Sequence, residues 1–573
     1  MKKSYLLVLL GSLLCGISLS GCGGTTTGYD PDNFLPNGTE ENPYQIVKEP
    51  VTIEIFAPHS AGNPEYDTLK MFTYLEEITN LRFNFTTVDT GGYANRRASI
   101  WEDANYKPDL FLFNNPIAEQ VQFQELGFNA FVPFNDDTYT IKPGSTIAGV
   151  SQEIQVGNII DNYMPNYKAG LESNWGVDRE KEDAEAIATL KDGKMYCTLS
   201  VKTVPRDLTF KMFINETWIN NLNSRYNLGL KSPEEIKTIE DYLEILKAFK
   251  QYDANQNGDP NDEVPVTSKS LEYLRNFILA SYGYVQGGVE IENDGSKFTY
   301  VPYTEAYRNY LKIANTMWTE GLMDASTFSI TTDAQMATKG QKGVLGSFSS
   351  AAPYIAVGYE YDDQYTAFGP LTSEYYTGTP LQLGYGTFIP DGACIPQTSA
   401  YVREVARLLD IMYSDLGAQL ISYGVENEDW TWDDAEHTSW TFHVPDSRTG
   451  NQEDYRATIT PNVGSGSALF WDNDFVGKMN DDIIESLNSM SERYMDYLKV
   501  PEPANYKFTS TEYEQISRIK AALDPQLEYL EASFVRGERD PYNDADWESF
   551  KETLKGYGAD ELVGYYNTML ARY

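Results

Sequence analysis

Val51-Thr52-Ile53-Glu54-Ile55-Phe56 reads as a strand, because apolar side chains recur at every second position, as a half-buried sheet surface requires. A helix follows at about Tyr66 to Thr79, and a second strand runs from Leu81 to Val88. Asp109-Leu110-Phe111-Leu112-Phe113 is apolar on both faces, the pattern of a parallel strand covered on each side. Strands that alternate with helices predict an open α/β sheet. Further along, Thr238 is placed to cap a helix with the stripe Tyr242, Ile245, Leu246 and Phe249, and Glu240 and Asp241 lie in its first turn. Thr304 opens another, carrying Tyr307, Tyr310, Leu311, Ala314 and Trp318 and stopping at Gly321. Ser399 is expected to open a third, through Val402, Val405, Leu409 and Met412. The C-terminal region reads mainly as helices, at about Asp481 to Leu498, Ser510 to Val535 and Asp546 to Leu554.

Upstream of the first strand, Met1-Lys2-Lys3 is a basic start and Tyr5 to Leu14 is almost wholly apolar. Leu19-Ser20-Gly21-Cys22 then brings small residues up to a cysteine. This is a secretory signal, too short to span a bilayer. Its end resembles the bacterial lipobox. That resemblance implies that residues 1–21 are a cleaved signal peptide and that Cys22 carries acyl chains such as palmitate. The mature chain is then anchored on the extracytoplasmic face of the cell membrane, as on a Gram-positive cell surface. Residues 22–49 include Asp30-Pro31-Asp32-Asn33 and Asn37-Gly38-Thr39-Glu40-Glu41, show no periodicity, and are expected to be a flexible linker.

Composition narrows the function classes. A chain of 573 residues has room for two or more lobes, and no second apolar run approaches membrane-spanning length. The net charge of −40 excludes nucleic acid as a partner. It also disfavours polyanionic ligands, unless bound calcium or a local arginine reverses the sign. Of four cysteines, Cys15 lies in the signal and Cys22 takes lipid, leaving Cys197 and Cys394. One possible pair does not make a disulfide scaffold, and two buried free thiols are expected. The 42 tyrosines and 9 tryptophans supply flat apolar faces with polar edges, which suit stacking on pyranose rings.

The strongest motif in the body is Asp253-Ala254-Asn255-Gln256-Asn257-Gly258-Asp259-Pro260-Asn261-Asp262-Glu263. Oxygen-bearing side chains fall at loop positions 1, 3 and 5, glycine at 6 permits a sharp turn, and a carboxylate pair follows. Calcium takes six to eight oxygens on such a loop, so Asp253, Asn255, Asn257, Asp259, Asp262 and Glu263 are its candidate ligands. Position 12 is Val264 rather than glutamate, and Val264-Pro265 stops an immediate exiting helix. That favours a structural Ca2+ over a sensor.

A loop of this kind ending Asp-Glu-x-Pro after a helix resembles those of the large solute-binding lipoproteins of carbohydrate ABC importers. Lys191-Asp192-Gly193-Lys194-Met195-Tyr196, Met212-Phe213-Ile214-Asn215-Glu216-Thr217-Trp218 and Trp318-Thr319-Glu320-Gly321-Leu322-Met323-Asp324 resemble further segments of that family, in the same order. So does Ala406-Arg407-Leu408-Leu409-Asp410-Ile411-Met412-Tyr413-Ser414 followed by Tyr423-Gly424-Val425-Glu426. Where the family commonly has glycine next, this chain has Asn427-Glu428-Asp429. The resemblance implies an α/β, two-lobed type 2 periplasmic-binding-protein fold with discontinuous lobes, a hinge and a helical C-terminus. One lobe is expected over 50–205 and 386–430, the other over 206–385 and 431–573. The first crossing is expected near Ser200 to Phe210 and the return near Tyr385 to Cys394. A monomer that holds an oligosaccharide in the cleft and passes it to membrane permease subunits is implied.

Open α/β sheets bind ligands at strand C-termini. His59, Ser60 and Asn63 follow the first strand, Asn114 and Asn115 follow Phe113, and Arg206 and Asp207 lie in the crossing. Phe348 sits in a Gly-Ser-Phe-Ser-Ser loop, and Trp430 and Trp432 are candidate sugar platforms. The rival readings are an extracellular glycosidase, a surface glycan-binding adhesin and a peptide-binding member of the same fold. A glycosidase needs two flanking carboxylates, which 84 acidic residues can always provide. His-Glu-x-x-His, Gly-x-Ser-x-Gly and Walker motifs are absent, and three histidines (His59, His437, His443) are too few to favour a zinc hydrolase.

Overall fold

The computed structural model describes residues 28–573 apart from 60–62, 90–91, 101–106, 114–120, 122–129, 147–148, 179–181, 330–332, 446–451 and 462–468. Cys22, Ser60, Asn114 and Asn115 therefore lie outside the described residues.

The chain begins its first sheet with β1 (Val51–His59), α1 (Lys70–Thr79), β2 (Leu81–Asp89) and β3 (Leu110–Leu112). β1 runs parallel to both neighbours, with Ile53 opposite Phe83 and Ile55 opposite Leu110. All of β3 is buried, as its unbroken apolar run requires. Tyr66–Thr68 forms a separate 3-10 turn, so α1 starts later than its sequence pattern suggests. After β4 (Ser200–Lys202) comes the second lobe: β5 (Lys211–Asn215), α2 (Ile239–Gln251), β6 (Val264–Thr267), α3 (Glu305–Thr319), β7 (Leu345–Ser350) and β8 (Tyr365–Phe368). Its sheet has the order β8-β5-β7-β6, with β7 parallel to β6 and antiparallel to β5. The chain returns through β9 (Phe388–Ile389) and β10 (Ala393–Cys394) to α4 (Val402–Met412). β10 pairs antiparallel with β3 and completes the first sheet in the order β10-β3-β1-β2. β11 (Phe470–Trp471), α5 (Asp482–Glu492), α6 (Ser510–Val535), α7 (Asp544–Gly556) and α8 (Ala559–Leu570) follow.

Local signals hold where the chemistry is local. Thr238 and Asp241 form a reciprocal capping box on α2, and the Thr304 hydroxyl accepts from Tyr307 N at the start of α3. Gly321 ends α3 with φ +68°, open to glycine without strain. Ser399 does not cap α4: the helix starts at Val402 with Tyr401 at the cap position, and the Ser399 hydroxyl accepts from Tyr401 N at 3.1 Å while donating to Asp109 Oδ1 at 2.6 Å.

The two largest of four hydrophobic clusters among the described residues lie one in each lobe. The first joins Ile53, Ile55 and Leu110 with Val405 and Leu409 of α4, and the second joins Tyr242, Ile245, Tyr307, Leu311, Leu527 and Phe534. One boundary departs from the expected division. Trp440, Phe475 and Ile484 pack in the first core, so that lobe extends well past 430. Passage between lobes occurs three times, as that division has it, between Val204 and Met212 and between Leu371 and Phe388, but the third falls between Ile484 and Leu487 rather than at 430. At the crossing, β4 pairs antiparallel with β9 and parallel with β11.

The stretch expected to be a flexible linker is, from Tyr29, packed on the first lobe. Ile46 and Val47 are fully buried, Phe34 is bridged to Val47, and the Arg403 guanidinium sits 4.6 Å from the Phe34 ring centre. Its apolar residues are too widely spaced for a periodic signal, yet each finds a hydrophobic partner surface, and their burial outweighs the chain entropy. Among the described residues no helix is long and apolar enough to cross a membrane.

Candidate functional site: the interlobe cavity and the acidic loop

A cavity of about 360 Å³ opens where the three passages meet. The first lobe and the crossing contribute Lys202 at the end of β4, Arg206 and Asp207 on the 3-10 turn Pro205–Asp207, Arg456 on the short helix Gln452–Arg456, and Trp471 of β11. The second lobe faces them with Ala352 and Tyr354, just beyond β7, while Phe210 and Tyr385 come from the connecting segments.

Trp471 organises this wall. Its indole N–H donates to Asp207 Oδ2 at 2.7 Å, and the guanidinium carbons of Arg206 and Arg456 each lie 5.5 Å from its ring centre. Asp207 also accepts from Arg206 Nε at 3.3 Å. Arg456 Nη1 donates to Ser422 O at 3.3 Å, and the Tyr423 ring lies beneath the same guanidinium at 5.2 Å. Burial alone would lower the Arg206 pKa, but Tyr423 and Asp207 outweigh it and keep it raised, so this cation is permanent. Behind it, Lys211 Nζ donates to Arg206 O at 2.9 Å and to Thr209 O at 3.2 Å. Desolvation brings that ammonium down to about 8. A second cavity of about 450 Å³ shares Tyr385 and carries Glu272, Tyr273 and Glu502.

Of the residues singled out in the sequence, this cavity brings together Arg206 and Asp207. Three aromatic candidates are corrected. Trp430 is fully buried, donates Nε1–H to Gly424 O at 3.1 Å, and packs on Trp440 and Phe475 in the first core. Phe348 is equally buried between Phe213 and Tyr365. Trp432 is half-buried and stacked on His437 at 4.3 Å, away from the cavity lining. A flat ring in a short strand satisfies a core or a cavity equally well, and packing decides between them. His59 is the last residue of β1 and Asn63 lies beyond it; the His59 Nε2 atom is 3.0 Å from Pro64 O, and neither residue lines the cavity. Lys202, Tyr354, Tyr385, Arg456 and Trp471 were not singled out from sequence. Trp471 lies in a two-residue strand that carries no periodic signal.

The acidic loop turns as its spacing requires. Gln256 and Gly258 take positive φ, 57° and 95°, and successive Asx turns run through Asn255, Asn257 and Asp259, whose Oδ1 atoms accept from the backbone two residues on. Asn255 and Asn257 amides donate to Asp262 at 3.3 and 2.6 Å, while Asp253 Oδ1 accepts from Gly258 N at 3.4 Å. Glu263 Oε1 accepts from Ala254 N at 2.8 Å, and Oε2 is buried with no hydrogen-bond partner. Among the described residues no three His, Cys, Asp or Glu side chains converge as a metal-holding group. The donor set is instead mixed, carboxylate with amide, and all of it is hard oxygen. The orphaned Glu263 oxygen is the observation that fits a cation there. At the departure from the family pattern in the first lobe, Asn427 adopts φ 63°, the left-handed conformation that glycine would take.

Two α/β lobes joined by crossing strands, with a cavity at the crossing, decide the architecture. The fold is that of the extracellular solute-binding proteins. FusA of Streptococcus pneumoniae in complex with kestose has this solute-binding fold with a TM-score of 0.68 at 19% identity, over 91% of this chain and 99% of that one. An extracellular solute-binding protein from Bifidobacterium longum subsp. infantis matches with a TM-score of 0.71 at 17% identity, over 93% and 99%. A FusA EF-hand mutant in complex with fructo-nystose matches at 0.67 and 18%, over 91% and 99%. In sequence, the fructooligosaccharide ABC transporter substrate-binding protein FusA of Streptococcus pneumoniae serotype 4 is 25% identical over 427 residues, 72% of this chain and 74% of FusA. Lipoprotein LipO of Bacillus subtilis is 26% identical over 244 residues, 40% of this chain and 45% of LipO. No family model matches the chain.

Proposed function

We propose that this chain is the substrate-binding lipoprotein of an ABC importer, which captures an oligosaccharide between its lobes and presents it to the permease. The observation that carries the reading is the cavity at the triple crossing, where Phe210, Tyr354, Tyr385 and Trp471 supply aromatic surface beside fixed polar groups. The likeness to a fructooligosaccharide substrate-binding protein over most of both chains supports it. Ligand contacts that span both walls favour the closed arrangement, and a permease that reads the closed form then receives loaded protein. Capture rather than catalysis is the role, and acylation of Cys22 holds the protein beside its membrane partner. A thermal-shift screen against an oligosaccharide library tests this. Stabilisation by at least one sugar is expected, whereas turnover of the sugars or stabilisation by peptides alone would overturn it.

The Asp253–Glu263 loop is proposed to hold a structural Ca2+, with Asp253, Asn255, Asn257, Asp259, Asp262 and Glu263 as its oxygen donors. Its buried, unpartnered Glu263 oxygen and the EF-hand of FusA support this. Chelation is expected to lower the melting temperature, and Asp253→Ala to remove that sensitivity. A melting temperature indifferent to chelator refutes the site.

A further inference from the structure

We propose that the cavity around Trp471 receives a sugar residue bearing a carboxylate, so that the captured oligosaccharide is acidic; this deepens, and rests on, the oligosaccharide-binding reading. On a chain with 84 acidic and 44 basic residues, an arbitrary patch of surface is acidic. The lining of this cavity reverses the sign. Lys202, Arg206 and Arg456 stand against Asp207, the one carboxylate that lines it among the described residues. That carboxylate already accepts from the Trp471 indole and from Arg206 Nε.

The cations are also fixed rather than waving in solvent. Arg206 and Arg456 are each only 7% exposed and flank one indole ring. Withdrawing a guanidinium from water is costly, and a site that met only hydroxyls would gain similar hydrogen bonds from neutral amides without that cost. A carboxylate ligand gains more from these cations than a hydroxyl does: charge-assisted bonds are shorter and stronger, and the planar guanidinium fork matches a carboxylate. A low-dielectric cavity of one sign also concentrates anions against the field of the whole molecule. The neighbouring cavity beyond Tyr385 carries Glu272 and Glu502. An acidic group therefore belongs at the Trp471 end, which favours a sugar with one uronate over a uniformly charged chain.

The test is calorimetric titration of the whole mature protein with matched pairs: glucuronate against glucose, and aldotetraouronic acid against xylotetraose. Kestose serves as a neutral reference, and a sulfated carrageenan tetrasaccharide separates sulfate from carboxylate. The acidic member of a pair is expected to bind about tenfold tighter or more, with an advantage that shrinks as salt rises. Arg456→Gln should erase most of that advantage. Lys202→Gln, at a half-buried position, should reduce it with the melting temperature unchanged, which covers the case in which the arginine variant fails to fold. Equal or tighter binding of the neutral members overturns the acidic assignment and leaves the oligosaccharide reading standing. A preference for the sulfated sugar overturns the carboxylate assignment. Failure of every sugar, kestose included, overturns both.

Discussion

Glu404 on α4 gives the sharpest quantitative prediction, because a buried carboxylate there couples the N-terminal segment to the first lobe. It is 1% exposed; Oε1 accepts from the Tyr29 hydroxyl at 2.9 Å, and Oε2 is buried without a partner. Desolvation raises its pKa from 4.5 to about 7, against the opposing pull of Arg403. The folded chain therefore holds this proton more tightly than the unfolded chain. The contribution to stability is fully present below 4.5 and is lost as pH rises through about 7. Above that, the charged form costs up to about 2.5 pH units at roughly 1.4 kcal/mol each, or ~3 kcal/mol. Glu404→Gln keeps a carbonyl acceptor for Tyr29 and removes the charge. At about 2 °C per kcal/mol for a lobe of this size, its melting temperature should exceed the parent's by ~4–6 °C near pH 8. The difference should shrink to about 1 °C near pH 5, where the folded parent is already protonated. Melts followed by circular dichroism at the two pH values measure this. A variant no more stable than the parent at the higher pH, with the same pH slope, refutes the argument.

Trp430→Ala should cost about 3–5 kcal/mol of stability, as loss of a fully buried indole does, while the folded fraction binds sugar with unchanged affinity. Trp471→Ala, which removes the ring between Arg206 and Arg456, should instead abolish binding in calorimetry. Reversal of those two outcomes would restore Trp430 as the platform. Cys197 and Cys394 are free and buried in one hydrophobic cluster, and burial raises the Cys197 pKa, so neither should react with an aromatic disulfide reagent until the chain is denatured. Rapid native labelling, or no thiol on denaturation, would contradict this.

Much of the architecture was legible in short segments. The alternation in Val51–His59, the apolar run at Leu110–Leu112 and the caps at Thr238 and Thr304 are local, since each depends on neighbours within one or two turns. The Asp253–Glu263 loop is local in the same sense, its turns closing over two to five residues. Ser399 lies ahead of the cap position, its hydroxyl tying the entry to α4 to Asp109, 290 positions away. The N-terminal segment failed as a linker for a related reason, as Tyr29 bonds Glu404 across 375 positions.

Sequence by itself determined the α/β class, the helix starts at Thr238 and Thr304 and the turning acidic loop, because backbone preference, side-chain period and Asx geometry act within a few residues. Tertiary structure alone decided which tryptophan faces the cavity and where positive charge collects on an acidic chain. Trp430 and Trp471 both occupy strands of two or three residues in the same lobe. One is sealed by Trp440 and Phe475, while the other meets Asp207 across 264 positions. Such contacts are set by how whole elements pack, and no window of sequence contains both partners.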